Sequence, residues 1–538
     1  MFPANSNRGN AVRAQPQRPP DMTAMPEPGA TVETASGTIR GTRNGAAFVF
    51  KGIPYGASTA GANRFRAPAA AVPWTGVKET IGYAASAPQP ARATIDAFAW
   101  YFTAIPWSED CLYLNVFTPA TQGAAKRPVM VWFHGGGFTT GAGTAKGFEG
   151  SNLAIGGDVV VVTVNHRLNI FGHFLPDGGG AAFADGGNAS ELDLIAALAW
   201  VRDNIHRFGG DAENVTIFGQ SGGASKVAVL MAMPAAHGLF HRAIVESASS
   251  LLRAAEPEDT ARAAHAVLKH LDITAPAALR DVPAAKLLEA MAGAIQASGG
   301  IDNFRPVRDG IHLPTHPFAP EAPALSAKIP LLIGTARDEA TFYLAADRAN
   351  FAMPRARAVA RAGRFLGLDD AAAGQLFAAY ETTHAGATPS EVYIAIHADH
   401  MYRRNDIRAA ELRAHQHGAD TFMYLFTWKT PVMDGILGAT HTLEVPFVFG
   451  NTDLVPEIVG AGPERLAMQR RIMGAWTEFA RTGRPENADL PAWTPYSLPQ
   501  RATMILDNGC AMVSDPARED RLAIEACPPY APAETGRR

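Results

Sequence analysis

The sequence predicts an α/β fold: a mostly parallel central sheet flanked by helices, entered through an antiparallel edge ribbon. Three observations carry this expectation. Residues 129–133 (Val-Met-Val-Trp-Phe) and 159–164 (Val-Val-Val-Val-Thr-Val) are unbroken apolar runs, the pattern of strands covered on both faces. Strand-like and helix-like segments alternate after them. Before them lie short β-leaning runs, 32–41 and 47–50, broken by glycines as hairpins are.

Each later element follows from its own pattern. Leu192, Ile195, Ala196, Ala199 and Ile205 recur near helical spacing within 191–208, and Gly209-Gly210 ends the run, which predicts a crossover helix. Residues 215–218 read as a strand, 224–233 as a helix, and 243–245 and 330–333 as further strands. Strands are also expected at 422–426 and 503–506, with a long helix over 463–482 between them. The Ala-rich stretches 251–297 and 356–385 are expected to be helical insertions that form a lid or gorge over a site.

Composition narrows the classes. The chain has 538 residues, 47% of them hydrophobic, so it can bury a large core, and a net charge of -4 supplies no broad basic face for nucleic acid. Residues 1–28 are rich in Pro, Gln, Asn and Arg without an apolar run of signal-peptide length, and are expected to be a disordered lead-in to one domain over 29–538. The longest apolar run is strand-sized, far short of the roughly 20 residues of a membrane helix. Cys111, Cys510 and Cys527 are too few and too scattered for a disulfide framework or a zinc site, which fits a reducing cytoplasm; a Cys510–Cys527 bridge stays open.

The chemistry centres on Gly219-Gln220-Ser221-Gly222-Gly223. With 51 glycines in the chain, chance supplies a G-x-S-x-G roughly 0.15 times, so the flanking strand and helix are what make it a nucleophile elbow. A turn that tight brings neighbouring backbone close, and only glycine fits two residues to either side of the serine. His134-Gly135-Gly136-Gly137-Phe138 follows a predicted strand directly and matches a loop that offers backbone N–H groups to an oxyanion. Gly136, Gly137 and Gly222 are the expected donors. A phosphate-binding reading of the loop lacks the Lys-Ser or Lys-Thr it would need.

These motifs resemble the type-B carboxylesterase family, which includes cholinesterases and bacterial para-nitrobenzyl esterases. The resemblance runs from Val32 onward and includes residues 50–55, 108–116, 165–168 and 208–211 in order. It implies an α/β-hydrolase fold and a cofactor-free carboxylic-ester hydrolase working through an acyl-enzyme, with no metal. It assigns Glu339, in Asp338-Glu339 after a strand, as the acid, and His441, in Gly438-Ala439-Thr440-His441, as the base. The order Ser, acid, His is the one such hydrolases use. Asp338 is the rival acid, and its alternative role is an ion pair with Arg337. By the same resemblance Arg64, Glu109 and Arg167 are scaffold, and Ser247 supplies a hydroxyl near the acid.

Several residues admit two readings. Phe98, Trp100, Tyr101, Phe102 and Trp107 crowd one segment, either as an aromatic pocket wall with Phe138 and Gln220, or as core packing. His134 reads as structural. His397 and His400, three residues apart, read as a solvated helix face rather than metal ligands. The family commonly has glutamate before its serine and alanine after it, whereas this chain has Gln220 and Gly222; the missing charge argues against choline esters. A small hydrophobic or aromatic ester is the expected substrate, with no nucleic acid or membrane partner and a monomer or homodimer as the assembly. Amide or carbamate hydrolysis by the same groups is the enzymatic alternative, and a non-catalytic binding protein the alternative from another class.

Overall fold

The computed structural model describes residues 28–91, 94–102, 105–121, 125–298 and 303–530, so the lead-in expected over 1–28 lies outside the described residues except for Pro28. Among the described residues, thirteen strands join in one sheet: β1 (Pro28–Thr34), β2 (Gly37–Asn44), β3 (Ala47–Pro54), β4 (Val77–Glu79), β5 (Tyr113–Thr118), β6 (Arg127–Phe133), β7 (Val160–Val164), β8 (Gly210–Gln220), β9 (Arg242–Glu246), β10 (Leu331–Ala336), β11 (Thr421–Phe426), β12 (Ala502–Leu506) and β13 (Ala511–Ser514). Their spatial order is β1-β2-β3-β5-β7-β6-β8-β9-β10-β11-β12-β13, with β4 beside β2. From β7 to β12 every pairing is parallel, while the pairings at both ends, apart from the β4 contact, are antiparallel. The edge ribbon and mixed sheet expected from sequence are therefore present; β4, β5 and β13 are strands that the patterning did not single out.

The apolar runs form central strands because both of their faces are buried. Val129, Val131 and Phe133 of β6 enter one core cluster, and Met130 and Trp132 enter the cluster on the opposite face. On the first face lie α1 (Ala189–Asn204) and α2 (Gly222–Ala232). On the second lies a later helix, Glu464–Thr482, through Met468, Ile472, Ala475, Trp476 and Phe479. Each fully buried Val, Leu or Phe contributes about 1.5–3 kcal/mol to holding these layers together.

The crossover helix expected within 191–208 is α1. Its fully buried residues include Leu194, Ala197, Leu198 and Val201, whereas Leu192, Ile195 and Ala196 are only half-buried. Neighbours cover this helix almost all round, so apolar residues occur on every side and their spacing does not single out the inner face.

Both Ala-rich stretches contain helices. The first holds α3 (Pro257–His270) and α4 (Ala284–Ala297), and the second holds α5 (Arg355–Leu366) and α6 (Asp370–Thr383). Each pair packs into its own apolar cluster beside the main core. Register positions the site: Phe133 at the end of β6 pairs with Gly219 of β8, and Gln220 pairs with Glu246 of β9. The loops after these strands emerge together at the carboxyl edge of the parallel sheet, where open α/β sheets bind their ligands.

Candidate active site

Ser221 occupies the turn between β8 and α2 with φ 59° and ψ -123°, a conformation that costs a non-glycine residue roughly 1–3 kcal/mol. The surroundings enforce it. A Cβ on Gly219 would lie 2.6 Å from the carbonyl carbon of Gly223, and one on Gly223 would lie 1.9 Å from the oxygen of Phe133. The Ser221 N–H donates to the Glu246 carbonyl at 2.8 Å, and the Ser221 carbonyl accepts from Ser225 N–H at 3.0 Å. The side chain is thereby held out over a cavity of about 340 Å³ that it lines together with His441, Gly136 and Gly137.

The glycine loop follows β6. Gly136 and Gly137 have φ of 95° and 65°, so the chain turns there without a steric penalty. Among the described residues their N–H groups donate to no protein acceptor. Gly222 is the first residue of α2, whose opening N–H groups lack intrahelical partners and carry the positive end of the helix dipole. A Cβ on Gly222 would sit 2.0 Å from the Gly137 oxygen, so loop and helix start are in contact.

His441 is brought to the same cavity by paired loops. Asp338 N–H donates to the Ala439 carbonyl at 2.9 Å, the Asp338 carboxylate accepts from Ala439 N–H at 2.8 Å, and Thr341 Oγ1 donates to the Leu437 carbonyl at 2.8 Å. Within this frame the fully buried Glu339 forms a short hydrogen bond through Oε2 to His441 Nδ1, and its Oε1 accepts from Ala336 N–H at 2.9 Å. Asp338 pairs with Arg337 at 2.7 Å and faces the loop, not the imidazole. Glu339 is thus the acid in contact with His441.

Other buried carboxyls stand behind Glu339. Burial, with the charges of Glu339 and Glu246 adding to it, holds Glu444 well above the usual carboxylate range. Burial pushes Glu246 up to about 8, partly countered by the Trp476 Nε1–H it accepts at 2.9 Å. Asp406 is raised by burial and then by Glu339. Ser247 donates to Glu444 at 3.4 Å, so the hydroxyl expected near the acid acts on its neighbour instead.

Of the expected pocket residues, Phe138 and Tyr101 line the cavity and five do not; Phe98 is core, and Phe102 packs against it. Trp100 is core: its ring lies where a Cβ on Gly147 would come within 2.2 Å. Trp107 is 42% exposed and bridges in β fashion to Ser86. Gln220 is fully buried behind His441, accepting from the Tyr101 hydroxyl at 2.8 Å. The expected solvated face at His397 and His400 is also corrected: both are buried, and Phe365 of α5 stacks on His397 with centroids 4.0 Å apart.

The rest of the wall comes partly from segments that flank the Ala-rich insertions, Arg305 among them, and partly from the glycine loop and Tyr530 near the C-terminal end. Phe304 follows α4 and packs with its apolar cluster, and Met401 lies in a π-turn, Asp399–Arg403, beyond the second stretch. Phe342 and Tyr343 complete that side, the former meeting His441 edge-on at 5.4 Å between centroids. Their sequence signal was an aromatic pair three and four residues after Glu339. Arg64 pairs with Glu109 (2.5 Å), and Arg167, in the loop after β7, pairs with Asp193 of α1 (2.6 Å); neither pair lines the cavity, in keeping with a scaffold role.

A mostly parallel sheet whose strand-to-helix elbow presents a serine beside a glycine loop defines an α/β-hydrolase. The chain matches the carboxylesterase family over residues 28–524 and belongs to it. It is similar to the para-nitrobenzyl esterase of Bacillus subtilis (strain 168), with 37% identity over 92% of this chain and 98% of that one. It is 33% identical to the phenmedipham hydrolase of Pseudarthrobacter oxydans over 91% of this chain and 98% of the relative. Among solved structures, a Geobacillus stearothermophilus carboxylesterase aligns with TM-score 0.80 and 36% identity, covering 92% of this chain and 99% of its own. The chain is accordingly a carboxylic-ester hydrolase, and no helix among the described residues is long and apolar enough to cross a membrane.

Proposed function

We propose that Ser221, His441 and Glu339 hydrolyse carboxylic esters through an acyl-enzyme, with the N–H groups of Gly136, Gly137 and Gly222 receiving the oxyanion. The observation that carries this reading is that His441 is bonded at Nδ1 to a fully buried acid while it opens on the same cavity as Ser221. Glu339 holds the tautomer with its proton on Nδ1, leaving Nε2 as acceptor. Ser221 Oγ attacks the acyl carbon as its proton passes to His441; the tetrahedral oxyanion collapses and His441 returns the proton to the departing alcohol. Water then repeats the two steps on the acyl-enzyme and frees Ser221 and the acid. Each preorganised N–H is worth about 2.7–4 kcal/mol of transition-state stabilisation.

Substrate character follows from the wall. Phe138, Phe304, Phe342 and Tyr343 around about 340 Å³ favour a small hydrophobic or aromatic ester. Three free thiols fit a reducing cytoplasm, which we propose as the compartment. Ser221→Ala is expected to abolish p-nitrophenyl acetate hydrolysis with an unchanged circular dichroism spectrum, and an organophosphonate to label Ser221 alone. Full activity in that variant would sink the reading. Rates on p-nitrophenyl esters from two to twelve acyl carbons, with para-nitrobenzyl esters and phenmedipham alongside, define the specificity.

A further inference from the structure

Lys226, five residues past Ser221 and fully buried, is the one charged residue of α2. Its Nζ donates to the carbonyl oxygens of His134 and Gly137, each at 3.1 Å, and lies 5.5 Å from the centroid of the Phe138 ring. The two carbonyls between them are also held: that of Gly135 by His134 Nδ1 at 2.8 Å, and that of Gly136 by Thr140 N–H at 3.1 Å. Every carbonyl from His134 to Gly137 is therefore engaged within the protein, whereas among the described residues the N–H groups of Gly136 and Gly137 have no acceptor. One side chain, carried on the same helix that begins at Gly222, fastens both ends of the glycine loop.

We propose that Lys226 is a positioning residue for the oxyanion site: by clamping the His134 and Gly137 carbonyls it keeps the loop amides turned toward the cavity, in register with Gly222. The inference rests on the reading of Ser221 and its oxyanion donors given above. A buried lysine is costly unless its donors are used. Two loop carbonyls use them, and they are the two that an apolar residue at this position would leave without a partner. Burial brings the ammonium down to about 7, against the opposing attraction of Glu191 on α1. The imidazoles that face it, His134 after β6 and His166 and His173 after β7, are all pushed down by burial and by its charge. A neutral amine still carries two N–H bonds, enough for both carbonyls, so the clamp outlasts deprotonation.

The test compares Lys226→Met, which keeps most of the apolar stem and removes the donors, with Lys226→Gln, whose amide offers N–H groups at a reach like that of methionine. On p-nitrophenyl acetate, Lys226→Met is expected to lose about 10- to 100-fold in kcat, with KM within about threefold of the parent, because the loop serves the transition state and not the bound ester. Lys226→Gln is expected to lose less. The proposal is overturned by a folded Lys226→Met with kcat within twofold of the parent, by a loss confined to KM, or by equal losses in the two variants. Should Lys226→Met fail to fold, Lys226→Gln decides alone: reduced kcat at retained KM supports the clamp, and parental kcat overturns it. Ser221→Ala separates the two readings, since activity there refutes the nucleophile whatever Lys226 does, while inactivity there with a normal Lys226→Met refutes only the clamp.

Discussion

The side-chain amide nitrogen of Gln220 lies 3.2 Å from both ring nitrogens of His441. A donor equidistant from the two cannot lie along either lone pair, so it sits against the ring and leaves Nδ1 to Glu339 and Nε2 to the cavity. The Tyr101 hydroxyl fixes the other end of that amide. Gln220→Glu is nearly isosteric and places an anion against an imidazole that must be neutral to accept a proton. The acidic limb of the kcat/KM profile is expected to move up by about one pH unit, and cationic esters to gain on neutral ones. Superimposable profiles would refute this role for the neutral amide.

Gly222→Ala introduces a Cβ 2.0 Å from the Gly137 oxygen and 2.6 Å from its Cα. The loop must retreat, drawing the Gly136 and Gly137 amides off the oxyanion position. Steady-state kinetics on p-nitrophenyl acetate should show kcat down at least about tenfold with the melting temperature little changed. Parental kcat would mean that the loop accommodates the methyl elsewhere.

Trp100→Ala and Trp107→Ala should separate cleanly. Trp100 is buried against the Gly147 backbone, and its truncation is expected to cost about 3–5 kcal/mol in urea unfolding. Trp107 is 42% exposed and outside the cavity wall, so its truncation should change stability by less than about 1 kcal/mol and leave kcat/KM unaltered. A large activity loss at Trp107 would restore it to the pocket.

Glu246 supplies a pH-dependent test. Folding raises its carboxyl from 4.5 to about 8, so its contribution is fully present below pH 4.5 and is lost as pH rises through 8. Gln at this position keeps the oxygen that accepts from Trp476 and cannot ionise. The stability of Glu246→Gln relative to the parent should therefore increase between pH 5 and 8, by up to about 1.4 kcal/mol per pH unit, and level off above that. A difference independent of pH across that interval would show that Glu246 ionises normally in the fold.

Legibility in the sequence followed how local each cause was. The elbow could be read because its residue pattern lies within five residues, although part of the space that demands glycine there is taken by Phe133 of the neighbouring strand. The strands of the parallel sheet could be read because two-sided burial writes itself into continuous apolar runs such as 129–133. The inner face of α1 could not, because that helix is apolar on several sides, and the strands at Tyr113–Thr118 and Ala511–Ser514 lack such runs.

The sequence alone made the nucleophile motif recognisable, since its glycines and serine are adjacent in the chain and Ser221 takes the positive φ of such a turn. What required tertiary structure was every relation between distant residues. The contact of Glu339, and not Asp338, with His441 depends on two loops about a hundred residues apart being hydrogen-bonded together. Trp100 and Trp107 were alike in sequence, and only packing sent one to the core and the other to the surface. The buried place of Lys226 beneath the glycine loop has the same origin: α2 and β6 meet across the sheet, and no local pattern records which carbonyls a side chain will find there.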